Sequence, residues 1–185
     1  MSLSPKPSTS DRFEALATQH LDAAYSLARW LTRDSVLAED VVQDAMLRAL
    51  KYFEGFRGEN PRAWLLQIVR NVALGKLSTK RSAPLSLDDP DGALGDELSG
   101  NPADPSDEPE NAVQKQQERE SAQRLLENLP TELRECLILR ELEECSYKEI
   151  ARIVNAPIGT VMSRLWRARQ WLAKASPKQE DFCER

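Results

Sequence analysis

Ser146-Tyr147-Lys148-Glu149-Ile150-Ala151-Arg152-Ile153-Val154-Asn155-Ala156-Pro157-Ile158-Gly159-Thr160-Val161-Met162-Ser163-Arg164-Leu165 decides how this chain is read. Ser146 and Glu149 have the spacing of a capping box, in which each side chain satisfies a backbone N–H of the other residue and so fixes a helix start. A short helix over 147–154 follows, then a tight turn through Asn155-Ala156-Pro157, then a longer helix over 158–174. That order is the layout of a helix-turn-helix, whose second helix enters the major groove of duplex DNA.

The longer helix can be divided by face at 3.6 residues per turn. Ile158, Val161, Leu165, Ala168 and Leu172 form an apolar stripe. Thr160, Ser163, Arg164 and Arg167 form a second row about 100° away, with Trp171 on the same side. From 158 to 174 the helix carries Arg164, Arg167, Arg169 and Lys174 and no acid. Guanidinium groups fork onto guanine or grip phosphate, and hydroxyls serve either role, so this row has the chemistry of a DNA reader.

Upstream, helices are expected near 131–142 and 110–128. Residues 82–111 interrupt the pattern with Pro84, Pro90, Pro102, Pro105 and Pro109, three glycines, and nine acids without a single Lys or Arg. Such a stretch buries too little apolar surface to offset its ordering entropy, which predicts a flexible acidic linker. The net charge of −5 is therefore unevenly placed. Residues 1–81 hold 12 basic against 9 acidic side chains, net +3, and residues 112–185 hold 13 against 12, net +1. The excess acid sits entirely in the linker.

Before the linker three helices are expected, near 11–31, 36–53 and 61–80. Asp34 or Ser35 can cap the second, and Asn60 before Pro61 is a favourable start for the third. In the second helix Ala38, Val41, Val42, Ala45, Ala49 and Phe53 point inward, and Asp40, Gln43, Asp44, Leu47 and Lys51 fall together outside. In the third, Trp64, Leu65, Ile68 and Val72 read as core, Arg62, Arg70 and Asn71 face elsewhere, and Lys76, Lys80 and Arg81 make a basic end. Gly75 within it costs about 1 kcal/mol relative to Ala. The pattern has no alternating strand signature, so the expected fold is all-α: two small helical domains joined by a flexible acidic linker.

Composition narrows the function classes. No apolar run approaches the ~20 residues of a membrane span, and residues 1–10 lack the apolar stretch of a secretory signal, so the chain is expected in the cytoplasm. Cys136, Cys145 and Cys183 show no metal-ligand spacing and read as reduced thiols, two of them half-buried on helices. His20 is the single histidine. With no nucleophile–base pair, metal cluster or phosphate-binding glycine loop, the expectation is a protein that is not an enzyme and holds no cofactor or metal.

Leu129-Pro130, Ser146 to Ala151, Gly159 to Leu165 and Arg167-Ala168-Arg169 together resemble domain four of the extracytoplasmic-function (ECF) sigma factors of bacterial RNA polymerase. Ala38-Glu39-Asp40-Val41-Val42-Gln43-Asp44 resembles the core-binding helix of the same family. The resemblance implies an arm over 1–10, a domain over 11–81 for core binding and the downstream (−10) promoter element, the linker over 82–111, a domain over 112–175 for the upstream (−35) element, and a tail over 176–185. It implies upstream DNA contacts by Thr160, Ser163, Arg164 and Arg167, with Tyr147 and Lys148 near the backbone. Arg62, Arg70, Lys76, Lys80 and Arg81 would face the melted downstream element, and Asn71 stands where the family places a base-pocket asparagine. Asp40, Gln43, Asp44 and Leu47 would meet the polymerase clamp, and the C-terminal domain the flap. An anti-sigma factor is implied as regulator. A homodimeric helix-turn-helix regulator would account for residues 129–175 alone, and a helical adaptor would use the same surfaces for proteins only.

Overall fold

A computed structural model describes residues 8–58, 60–82 and 121–175. The predicted acidic linker beyond Ser82, most of the helix expected over 110–128, the arm over 1–7 and the tail over 176–185 lie outside the described residues. Their regular structure is all helical, with no strand among them.

The N-terminal half is a bundle of α1 (Thr9–Thr32), α2 (Ser35–Tyr52) and α3 (Pro61–Ser82), with a 3-10 turn at Phe53–Gly55. Each start follows from a short polar side chain that accepts an otherwise orphaned N–H. Ser8 and Asp11 make a capping box on α1, and Asp34 accepts from Leu37 N at 3.0 Å. Asn60 Oδ1 accepts from Ala63 N at 2.9 Å. The inward stripe read for α2 is the buried one: Ala38, Val41, Ala45 and Ala49 are fully enclosed. Phe53 closes the far end with Leu16, Ala49 and Leu65, and Phe13 meets its ring edge-on at 5.4 Å. Trp64 is half-buried rather than a core residue and stacks on Phe56 at 4.7 Å.

Gly75 occupies an open stretch of α3, where an added Cβ meets nothing within 4 Å. Its backbone carbonyl accepts from the Ser78 and Thr79 hydroxyls at 2.8 and 3.0 Å. Gly75→Ala is therefore expected to stabilise the fold by about 0.5–1 kcal/mol through helix propensity, read as a higher denaturant midpoint at unchanged m-value. A lower midpoint would mean that the glycine is needed for packing.

The C-terminal half contains helical residues 121–127 (α4), α5 (Thr131–Glu141), α6 (Tyr147–Ile153) and α7 (Ile158–Ala175). The capping box read from Ser146 and Glu149 forms with both of its hydrogen bonds, at 2.6 and 3.3 Å. At the other end of α6, Asn155 takes a left-handed φ of 50°. Ala156 N donates to Ala151 O and Asn155 N to Arg152 O, the two bonds of a Schellman ending. Pro157 O then accepts from Thr160 N and Val161 N as α7 begins. Ile150, Ile153, Val161, Leu165 and Ala168 fill the angle between the two helices.

The two helical halves are docked on each other. α1 packs on α5 and α3 on α6, and their buried apolar side chains join one continuous cluster. Arg33 and Arg134 both donate to the Glu127 carbonyl at the last turn of α4, where the helix dipole favours cations.

Candidate nucleic-acid interface

On α7 the open face is rotated from the row expected. Ser163 and Arg167 are exposed, whereas Thr160 and Arg164 are half-buried. Arg164 Nη2 pairs with Glu132 at 2.8 Å and Nη1 with Glu135 at 3.5 Å, both on α5. Arg167 lies back along its own helix, its Nε donating to Ser163 O at 3.3 Å. Ile158, read as part of the apolar stripe, is 41% exposed, and beside it Met162 and Trp166 are 53% and 63% exposed. Trp171 packs against the core instead of facing out.

Sequence reasoning missed Met162 and Trp166. The signal available was two large apolar side chains four residues apart, about 100° round the helix from its buried stripe, a position a solvated helix gives to polar residues. Next to Ser163 and Arg167 they complete a surface with hydroxyl, guanidinium and apolar groups, the last suited to thymine methyls. Lys148 is exposed at the start of α6, while Tyr147 is half-buried under the Arg140 guanidinium at 5.3 Å. Arg169 is bound to Glu141 at 2.9 Å, which raises its pKa.

In the N-terminal half, Asn71 is exposed in a groove between α2 and α3 that Asp44, Arg48 and Lys76 also line. Lys76 reaches across to Asp44 at 2.8 Å and Asp40 at 3.1 Å, and these two hydrogen bonds, that to Asp44 foremost, raise its pKa. Two acids expected to face polymerase thus share a lysine expected to face DNA. Gln43 is exposed and Leu47 is 67% exposed. Val36 and Leu50, which sequence reading did not single out, are also open on α2, at 76% and 47%, as is Tyr52 at 59%. Lys80 and Arg81 lie on the last turn of α3, and their side chains are outside the described residues.

Arg62 and Arg70 are not open. Arg62 meets Glu143 at 2.7 Å, and Arg70 grips Glu135 with Nε and Nη2 at 2.7 and 3.0 Å. His20, half-buried nearby, has its pKa lowered by burial and then by the Arg62 charge.

The two described cysteines are more enclosed than expected, and Cys145 stands in the loop before α6 rather than on a helix. Burial above all pushes both thiols from the ordinary 9.0 up to about 11. A folded pKa above the unfolded one means that the unfolded chain loses the proton first. The stability these thiols contribute is whole below about pH 9 and is lost as pH rises towards 11. The denaturant midpoint is expected to decline across that window, and Cys136→Ala/Cys145→Ala to flatten the decline. Native Cys136 and Cys145 should resist alkylation at neutral pH; rapid labelling of either would contradict their burial.

A three-helix bundle with an acidic and apolar outer helix, docked to a helix-turn-helix, is the architecture of a two-domain sigma-70-type initiation factor. The sigma-70 region 2 family matches residues 16–83 and the sigma-70 region 4 family residues 119–172. The chain is 37% identical over 132 residues to the ECF RNA polymerase sigma-E factor of Escherichia coli, covering 71% of this chain and 69% of that one. The sigma-E factor of Haemophilus influenzae is 34% identical over 152 residues, covering 79% and 77%. Among solved structures, the sigma factor RpoE of Bartonella quintana in complex with the anti-sigma factor NepR aligns with a TM-score of 0.67 at 26% identity, covering 89% of this chain and 96% of that one. The chain belongs to the ECF sigma factors of RNA polymerase.

Proposed function

We propose that this sigma factor binds core RNA polymerase through the outer face of α2 and directs it to promoters that it reads at two places. The observation that carries the reading is the open row of Ser163 and Arg167 on α7, behind a turn fixed by Asn155 and a helix fixed by Ser146. Met162 and Trp166 extend that row, and Lys148 flanks it on the phosphate side. Thr160 and Tyr147 border the surface, and Arg164 braces α7 against α5 more than it reaches outward. Upstream DNA is read as duplex by these side chains.

The downstream element is held as single strand by α3, with Asn71 in its groove, Arg62 and Arg70 along its length, and Lys76, Lys80 and Arg81 towards its end. Asp40, Gln43, Asp44 and Leu47, joined by Val36 and Leu50, meet the polymerase clamp, and the C-terminal domain meets the flap. The domain limits of 11–81 and 112–175 and the acidic linker over 82–111 belong to the same reading. No described helix is long and apolar enough to cross a membrane, and the chain acts in the cytoplasm as a regulator without catalysis of its own. An anti-sigma factor holds it inactive, by analogy with the complex solved for the Bartonella quintana protein.

Run-off transcription with purified core enzyme on genomic fragments tests this directly. Discrete start sites that require the chain are expected. Binding of the chain to promoter fragments as a homodimer, with no effect on core enzyme, would favour an ordinary helix-turn-helix regulator instead.

A further inference from the structure

Three polar side chains at the start of and along α3 are each held by a glutamate of the other half. Asn60 Nδ2 donates to Glu149 Oε1. Arg62 pairs with the Glu143 carboxylate at 2.7 Å and also donates to the Glu143 backbone carbonyl at 2.7 Å. Arg70 makes the two-pronged contact with Glu135. Glu135 is 1% exposed and Glu143 7%, so these ion pairs are shielded from salt far better than surface pairs.

The arginines engaged this way are the ones the proposed function assigns to nucleic acid, and the inference rests on that reading. A carboxylate presents a guanidinium with the planar pair of oxygens that a phosphate presents, at similar distances. Arg62 and Arg70 are separated by about 12 Å of helix rise, a span within reach of a few consecutive backbone phosphates. On α7 the same Glu135 also receives Arg164. One buried carboxylate therefore touches an arginine from each DNA-reading half.

We propose that Glu135 and Glu143 are internal stand-ins for promoter phosphates, so that the C-terminal half occupies the nucleic-acid site of the N-terminal half until DNA displaces it. The free chain is then expected to bind DNA weakly for a reason beyond its net charge of −5. Only the fraction of molecules with the halves apart is competent, and the apparent Kd rises by the reciprocal of that fraction.

The test uses the full chain and a random-sequence single-stranded oligonucleotide as probe. Glu135→Gln/Glu143→Gln removes both charges and keeps an acceptor at each position. Glu14→Gln/Asp22→Asn, at two exposed positions of α1, changes net charge equally outside these contacts. The first pair is expected to bind the oligonucleotide about tenfold tighter than wild type, with a larger radius of gyration in solution, and the control pair less than about twofold tighter. Equal tightening in both pairs, or none in either, overturns the proposal. If Glu135→Gln lowers the melting temperature of the C-terminal half, Glu143→Gln against Glu14→Gln repeats the comparison with about threefold expected. Initiation with core enzyme separates the two levels of inference. A wild-type chain that initiates while the first pair binds no tighter than its control defeats the stand-in role alone. A wild-type chain that fails to initiate defeats the reading beneath it and this proposal together.

Discussion

Arg167→Ala is expected to lower promoter-dependent transcript yield by about 10- to 100-fold, the equivalent of losing one good base contact of about 1–3 kcal/mol. Its melting curve should match wild type. Arg167 is exposed, and its guanidinium lies only along Ser163 of its own helix, so removing it leaves no buried charge without a partner. Arg164→Ala offers the contrast. That side chain is half-buried between Glu132 and Glu135, and its loss should show as reduced stability of the C-terminal half. Footprinting with core enzyme on a promoter carrying a substituted upstream element would locate the Arg167 effect. Wild-type yield from Arg167→Ala, with Arg164→Ala folded but inactive, would move the reading face back to the row expected from periodicity.

Leu47→Arg should weaken binding to core polymerase by about 30-fold or more, as expected when a central apolar contact worth at least about 2 kcal/mol is replaced by a charge. Leu47 is 67% exposed and makes no part of the bundle core, so folding should be unaffected. Val36 and Leu50 are open on the same helix, and such a concentration of large apolar side chains on one outer face marks a contact surface more than a solvated one. Co-purification with core enzyme at graded salt measures the effect. Retention equal to wild type would remove α2 from the contact and leave Asp40 and Asp44 with only Lys76 to serve.

Local chemistry made much of this legible in the sequence. Ser146 with Glu149, Asp34, and Asn60 before Pro61 each satisfy backbone groups within three residues, and all do so as expected. The inward stripe of α2 was equally readable, because burial at helical spacing needs no knowledge of the partner. What escaped was set by distant residues. The rotation of the open face on α7 depends on α5, which holds Arg164 through Glu132 and Glu135 some thirty positions away. Ile158 lies on the first turn, beyond the reach of the core, and periodicity cannot tell a stripe's end from its middle. The docking of the halves joins Arg62 and Arg70 to Glu143 and Glu135 across 81 and 65 residues, and no pattern along the chain announces such a pairing. Gly75 had no role in the sequence reading, and the open space around it explains why a packing role is absent.

Glu135 has two guanidinium neighbours, only one of which belongs to its own half. When the halves part, Arg70 leaves for water and Arg164 remains, so the carboxylate is never abandoned in an apolar setting. Severing a lone enclosed ion pair would strand a charge at about 3–5 kcal/mol. Here that penalty is avoided by a resident counter-ion. At this contact parting the halves asks only for the rehydration of a single arginine, whereas Glu143 gives up Arg62 and the shared apolar cluster must open as well.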